Sequence, residues 1–150
     1  MRLGLILPLA ALGATLGFAA GPAPAGWERL SVPPMKTSIY VGRVTLTPGA
    51  FELHGDTYTA SYEASVWPWF FWGEKGTVTI RVSAADLQRA AHGGTVDFAG
   101  RGANQKGRPR TVTGRVQPAD ATSGRLKIRI RVDGIELVFN GTYQLGGRPR

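Results

Sequence analysis

A dense aromatic run near the middle of the 150-residue sequence is the first feature that could support binding chemistry. Residues 67–72 read WPWFFW, with five aromatic residues among six positions. A strand turns alternate side chains to opposite faces, so a single core cannot bury all five rings. Either the run forms an aromatic core with an aromatic lid, or some rings are exposed and suit stacking on sugars, contact with a partner or docking at a membrane interface. If the protein has a binding site, we expect its apolar contact to be formed by Trp67, Trp69, Phe71 and Trp72.

Basic residues at every second position between residues 125 and 131 form the other candidate surface. In a strand they project from one face, where Arg108, Arg110 and Arg115 could join them. Such a face attracts polyanions through counterion release, or it is a solvated face that keeps the protein soluble. The sequence carries no nucleic-acid recognition motif, so we expect no nucleic acid but a polyanionic envelope component, a polysaccharide or a phospholipid surface. The predicted anion-facing set is Arg125, Lys127, Arg129 and Arg131.

Residues suited to acid–base or metal chemistry are few. The absence of cysteine excludes disulfides, thiolate metal sites and a cysteine nucleophile. The two histidines, His54 and His92, have no histidine partner at metal-ligand spacing, and the sequence contains no P-loop or nucleophile-elbow motif. We therefore predict a non-catalytic protein without metal or cofactor. An enzyme would need a cleft that brings His54 or His92 close to Asp97 or Glu74.

Both candidate surfaces depend on strands, and the clearest strand covers residues 125–132, where polar and apolar residues alternate strictly. Asp133-Gly134 follows, a dipeptide that favours a type I′ hairpin turn because both residues tolerate positive φ. Folding there keeps one face apolar and places Arg131 opposite Glu136, a pair of opposite charges. The predicted apolar pairs are Val132 with Ile135, Ile130 with Leu137, and Ile128 with Phe139.

A second hairpin is predicted for residues 51–60. Gly55-Asp56 favours a type II′ turn, which pairs Leu53 with Tyr58 and Phe51 with Ala60. Residues 101–110, RGANQKGRPR, read as a glycine-rich, basic, flexible loop. Further β-rich stretches cover residues 38–46, 77–82, 95–100 and 110–116.

One short helix interrupts the strands. Ser83 is the predicted N-cap, with Asp86 three residues later, and Gly93-Gly94 ends the helix. Two helical turns are unstable alone, so Leu87 and Ala91 must rest on the sheet. We therefore predict an all-β fold, a compact antiparallel barrel or barrel-like sandwich of seven to eight strands with one short helix.

The N-terminal residues read as an export signal. A basic start at Arg2 precedes an uncharged run and then a region of small residues, which is the layout of a cleaved signal peptide. Residues 1–25 form the predicted signal, with cleavage after Ala25 or after Ala19, and an uncleaved membrane anchor is the alternative. The predicted mature chain, residues 26–150, is a single all-β domain without a transmembrane span, located in the periplasm or secreted.

These features favour an exported non-catalytic β-domain, an envelope-associated binding or structural module with an aromatic contact patch and a basic face. The alternative is a carrier for a small apolar, lipid-like molecule, with an internal cavity lined by Tyr58, Tyr62 and Phe98. An enzyme and a small outer-membrane barrel are further alternatives. Exposed tryptophans over a filled interior would support the binder, whereas a closed void of roughly 300 Å³ or more would support the carrier. The sequence leaves the oligomeric state open.

Overall fold

The computed structural model of the protein describes residues 24–146. The predicted signal peptide therefore lies outside the described residues, apart from its last two positions. The described chain forms ten strands and one α-helix, which confirms the predicted all-β class with one short helix. The strands are β1 (Arg29–Ser31), β2 (Met35–Ile39), β3 (Gly42–Pro48), β4 (Phe51–His54), β5 (Thr57–Trp67), β6 (Glu74–Arg81), β7 (Val96–Asn104), β8 (Pro109–Pro118), β9 (Ser123–Val132) and β10 (Ile135–Leu145), and the helix is α1 (Ala84–Ala91).

Eight of these strands close into an antiparallel barrel, as predicted. The order around the ring is β1, β10, β9, β8, β7, β6, β5 and β4, and β4 pairs with β1 to complete it. The other two strands form a β2–β3 hairpin that extends the wall along β5. The long β5 has two partners in succession on one edge, because β4 pairs with its residues 57–59 and β3 with its residues 62–67.

The two predicted hairpins have the expected register. In β9–β10, Val132 pairs with Ile135, and the pairing continues through Ile128 with Phe139. Asp133 and Gly134 have φ angles of 47° and 82°, as a type I′ turn requires. In β4–β5, Leu53 pairs with Tyr58. The alternation of side chains fixes these registers, since a shift of one residue would turn the apolar face to solvent.

Apolar side chains from the strands meet inside the barrel, whereas the charged residues of β9 project outward. Phe139 and Tyr143 on β10 are the most deeply buried large residues, each 1% exposed. Gly114 on β8 faces inward and allows close packing, because the ring of Phe98 occupies the space that a Cβ would take. Because a neighbouring ring packs against the glycine in this way, the missing side chain leaves no free volume in the interior.

Helix α1 covers one end of the barrel. Ser83 is its N-cap, as predicted, and its Oγ accepts a hydrogen bond from the backbone N–H of Asp86 at 3.1 Å. The buried positions are Leu87 and Ala90, so the predicted contact through Ala91 is wrong. On a helix, residues three positions apart lie on the same face, and so do residues four apart. In α1 the face that packs on the sheet contains the pair three apart, Leu87 and Ala90.

Two further predictions about local structure are wrong. Residues 101–110 are not a flexible loop, because β7 continues to Asn104 and β8 begins at Pro109. The intervening turn is ordered by the Asn104 side chain, whose Oδ1 accepts hydrogen bonds from the N–H groups of Lys106 at 3.0 Å and Arg108 at 2.9 Å. Residues 38–46 are not one strand but span the β2–β3 hairpin, which turns at Tyr40-Val41 without any glycine or proline. Within residues 24–146, no helix is both long and apolar enough to cross a membrane.

Candidate functional site

Exposed apolar side chains gather at the end of the barrel opposite α1, which we call the aromatic end. The aromatic loop, residues 67–73, joins β5 to β6 and contains the five aromatic residues, the first of which, Trp67, is also the last residue of β5. The turns of two other hairpins lie beside it. Phe70 and Phe71 are 70% and 75% exposed, and Trp67 is 64% exposed. The aromatic end consists of Tyr40 and Val41 from the β2–β3 turn, Trp67, Trp69, Phe70, Phe71 and Trp72, and Ile135 at the start of β10.

The aromatic loop is held in one shape although its rings are exposed. Residues 70–72 form a 3-10 turn, with the N–H of Trp72 donating to the carbonyl of Trp69 at 3.0 Å. The rings of Trp69, Phe71 and Trp72 contact one another, with centroids 5.6 to 6.0 Å apart. The indole Nε1 of Trp69 donates to the carbonyl oxygen of Val41 at 3.0 Å. This bond joins the aromatic loop to the β2–β3 turn, so the two loops present one surface.

The structure exposes all four aromatic residues predicted for the contact. It adds Phe70, which the sequence interpretation left out, and three residues from other hairpins. Tyr40 is fully exposed, and Ile135 is 62% exposed. A bulky apolar residue in or beside a hairpin turn is the sequence signal that could have identified these positions, since turns normally carry polar or small residues.

An open groove runs from the aromatic end toward the interior. It lies between the β2–β3 and β9–β10 hairpins and has a volume of about 780 Å³. A smaller apolar cavity of about 130 Å³ lies inside the barrel wall. Groove and cavity share part of their lining, which places Trp72 at their boundary. The shared residues are Val44, Val66, Trp72, Val132 and Leu137.

A buried charge pair lines the inner cavity. The guanidinium of Arg110 contacts the carboxylate of Glu74, with Nη2 3.1 Å and Nε 3.2 Å from Oε1. The hydroxyl of Tyr62 donates to the other oxygen of Glu74 at 2.8 Å. Burial, and secondarily this hydrogen bond, raises the pKa of Tyr62. Arg110 was expected to join the outer basic face, but it is only 8% exposed and points inward.

A second interior cavity, of about 70 Å³, lies beneath α1. Leu87 and Ala90 line it from the helix, and Tyr58 and Phe98 line it from the wall. The three residues expected to line a single ligand cavity are therefore divided, because Tyr62 faces the other one. The hydroxyl of Tyr58 donates to the carbonyl oxygen of Trp27 at 2.6 Å, which ties the chain preceding β1 across this end.

The predicted basic row does lie on the outer face of β9, and all four residues are exposed. Arg131 stands opposite Glu136 as predicted, but the ion pair forms diagonally, from Arg129 Nη1 to Glu136 Oε1 at 2.9 Å. This bond lowers the pKa of Glu136. Within residues 24–146, Arg125, Lys127 and Arg131 have no carboxylate within 4.0 Å. A shallow groove of about 530 Å³ passes beside Arg125 and Lys127.

The four residues considered for catalysis have separate partners. His54 is 3.9 Å from Glu52, and the Nδ1 of His92 is 2.6 Å from the Gln88 carbonyl at the end of α1. Asp97 pairs with Arg115 at 2.7 Å, and that hydrogen bond lowers the pKa of Asp97. Glu74 pairs with Arg110, as described above. In the described part of the chain, no three histidine or acidic side chains are grouped so that they could hold a metal ion.

No protein-family model matches the sequence, and comparisons with curated proteins and with solved structures likewise give no match.

Proposed function

We propose that this protein is an exported, non-catalytic binding domain of a cell envelope, and that the aromatic end is its contact surface. The observation that carries the proposal is the exposure of the whole aromatic loop together with Tyr40, Val41 and Ile135. Water-exposed apolar area of this kind marks an interaction site when it is contiguous. The hydrogen bond from Trp69 to Val41 supports a preformed surface, because it fixes two loops before any partner arrives.

The size of the interior supports a surface binder over a carrier. The two internal cavities measure about 130 and 70 Å³, and the charge pair and aromatic rings occupy the space between the walls. A site that encloses a drug-sized ligand usually needs roughly 300 Å³ or more. Gly114 likewise serves packing, because the ring of Phe98 fills the space beside it.

The carrier remains the second candidate because the groove and the inner cavity share Trp72 as a boundary. A cavity of about 150 Å³ is enough to hold benzene, so the inner cavity matches only the end of an apolar chain, with the remainder in the groove. Native mass spectrometry of protein purified from its own host tests this candidate. A retained apolar molecule would support the carrier, and its absence from correctly folded protein would contradict it.

The charged outer wall supports envelope association in water. Arg125, Lys127 and Arg131 give the wall an unpaired positive surface, which attracts anionic envelope polymers at long range. The same wall argues against the outer-membrane barrel alternative, whose outward face must be apolar where it meets lipid. The separate partners of His54, His92 and Asp97 argue against the enzyme alternative.

Co-sedimentation with isolated cell envelopes tests the proposed function. We expect the protein to sediment with the envelopes and the double variant Phe70→Ser/Phe71→Ser to lose most of this binding. Both rings are largely exposed, so the variant should keep its fold, which circular dichroism would check. Arg81→Ser/Arg89→Ser, at the opposite end of the barrel beside α1, is the control. Unchanged binding by the phenylalanine variant would overturn the assignment of the contact surface.

A further inference from the structure

We infer that the partner of the aromatic end is an anionic lipid bilayer, into whose interface the aromatic loop inserts while flanking cations contact the lipid headgroups. This inference rests on the proposed function and names the chemistry of its partner. It draws on three observations: the composition of the aromatic end, the placement of cations around it, and the pairing of the nearby acids.

The composition of the aromatic end suits a bilayer interface better than a sugar. Aromatic sugar sites combine a ring with hydrogen-bonding side chains that read the hydroxyl groups. Residues 67–73, WPWFFWG, contain no polar side chain other than indole N–H groups, and the one on Trp69 already donates to Val41. Val41 and Ile135 add exposed aliphatic carbon. Tryptophan and tyrosine prefer the boundary between headgroups and acyl chains, because their rings are apolar and their edges are polar.

Cations border the aromatic loop on both sides. Arg43 on β3 pairs directly with Trp67, at the start of the aromatic loop. Lys75 on β6 lies two residues after Gly73, where the loop ends. Both side chains are exposed. A side chain at either position can therefore reach a phosphate while the rings insert between headgroups.

The β7–β8 turn brings two more cations to the same end. It is bound to the start of β6 by two hydrogen bonds, from the N–H of Gln105 to the carbonyl of Lys75 at 2.8 Å and from the N–H of Lys75 to the Gln105 side chain at 3.0 Å. This places Lys106 and Arg108 at the same end of the barrel as the aromatic loop. Within residues 24–146, no carboxylate lies within 4.0 Å of the cationic group of Arg43, Lys75, Lys106 or Arg108.

Cations outnumber acids at this end. Glu136 pairs with Arg129, while Glu74 and Asp133 share Arg110, which lies 3.1 Å from Glu74 and 3.9 Å from Asp133. Glu63, opposite Lys75 on β5, is a fourth carboxylate near the loop. The surface around the rings is net positive, because these four carboxylates face six cations: Arg43, Lys75, Lys106, Arg108, Arg110 and Arg129. Polybasic groups beside an apolar anchor bind anionic lipids, whose negative surface potential attracts them.

Binding to vesicles of defined composition tests the inference. We expect the protein to co-sediment with vesicles of phosphatidylcholine and phosphatidylglycerol in equal parts, and more weakly with phosphatidylcholine alone. Binding to the anionic vesicles should weaken as salt is added, because ions screen the headgroup charge. Tryptophan emission should shift to shorter wavelength on binding, since the exposed indoles leave water. Equal binding to both vesicle types, without salt dependence, would overturn the role assigned to the cations.

Three variants separate the contributions. Phe70→Ser/Phe71→Ser should lose binding to both kinds of vesicle. Lys75→Ser/Lys106→Ser should weaken binding to the anionic vesicles about thirtyfold, from the usual contribution of two basic residues near such a surface. Arg81→Ser/Arg89→Ser removes the same charge from the opposite end of the barrel, beside α1, and should change binding by no more than about twofold. An equal loss from this variant would overturn the proposed orientation.

The outcomes distinguish failure of this inference from failure of the proposed function. If the wild-type protein ignores both vesicles but sediments with lipid-extracted envelopes through Phe70 and Phe71, the lipid inference fails and the contact surface stands. A glycan would then be the partner. If the phenylalanine variant binds intact envelopes as well as the wild type does, the proposed function itself fails.

Discussion

The two ends of the barrel use similar apolar side chains in opposite ways. At the helix end, Trp27 is 6% exposed and Leu87 is likewise buried, because α1 and the chain before β1 cover the opening. At the aromatic end, Trp72 is 52% exposed, and no helix lies over the rings in the described chain. Residues 24–146 therefore close one end of the barrel and leave the other uncovered.

This difference separates apolar residues that stabilise the fold from those available to a partner. A buried ring contributes to folding through the area it removes from water, whereas an exposed ring contributes little until a partner covers it. The interior beneath the aromatic end is nevertheless ordered, since Arg110, Glu74 and Tyr62 form a connected group there. Exposure of apolar side chains at this end is confined to the loops and to the strand ends beside them, where Trp67 and Ile135 lie.

Removal of the buried arginine should have the largest effect on stability and would show that the aromatic end is well packed inside. Arg110→Met leaves the largely buried carboxylate of Glu74 without its cationic partner, so we expect a loss of about 3–5 kcal/mol in the free energy of unfolding. Urea denaturation measures it. Arg110→Met/Glu74→Leu removes both charges and should recover most of the loss. A cost below about 1 kcal/mol for the single variant would mean that water reaches the pair.

Matched truncations at the two ends test the comparison directly. Leu87→Ala should reduce the free energy of unfolding by about 2–4 kcal/mol, because it opens a cavity beneath α1. Phe71→Ala should change it by less than about 0.5 kcal/mol, although it removes more carbon, since the ring is already in water. Urea denaturation of the two variants gives both values. Equal losses would show that the aromatic end is part of the folding core.

Alkaline pH should affect the helix-side core through Tyr143. Burial, and secondarily the negative charge of Asp120, raises the pKa of Tyr143 to about 12. The folded state therefore favours the neutral phenol, and its contribution to stability is present below pH 10 and lost as the pH rises toward 12. The free energy of unfolding should fall over this window, and Tyr143→Phe should fall less. A pH profile identical in the two proteins would contradict this assignment.

Acrylamide quenching of fluorescence should distinguish the tryptophans without changing stability. Trp67, Trp69 and Trp72 are exposed, so a large quenchable fraction is expected, while the emission of Trp27 should be protected. The variant Trp27→Phe should remove the protected fraction alone. Protection of all four indoles would mean that something covers the aromatic end in solution.

Strand register was the most predictable property. The β9–β10 hairpin follows from strict alternation before Asp133-Gly134, because both the buried face and the turn allow only one pairing. The N-cap at Ser83 was also predictable, because its hydrogen bond with Asp86 joins residues only three positions apart in the sequence. The turn at Tyr40-Val41 was missed, as it lacks the residues that normally mark a turn.

The site was less predictable, because it is assembled from separate hairpins. The aromatic loop is evident in the sequence, whereas its bond to Val41 and the nearness of Ile135 follow from barrel closure. The pairing of Glu136 with Arg129 instead of Arg131 was also unexpected, since side-chain reach across a twisted pair of strands decides between a direct and a diagonal partner.

The sequence alone determined what repeats over short distances: the alternation of strands, the hairpin turns, the helix cap, and the concentration of aromatic and basic residues. These depend on the φ preferences of single residues and on the two-residue period of a strand. Only the tertiary structure decided which end of the barrel is covered, that Arg110 points inward to Glu74, and that the cations of the β7–β8 turn lie at the same end as the aromatic loop. Those contacts join residues far apart in sequence, and they arise when the ring of strands closes.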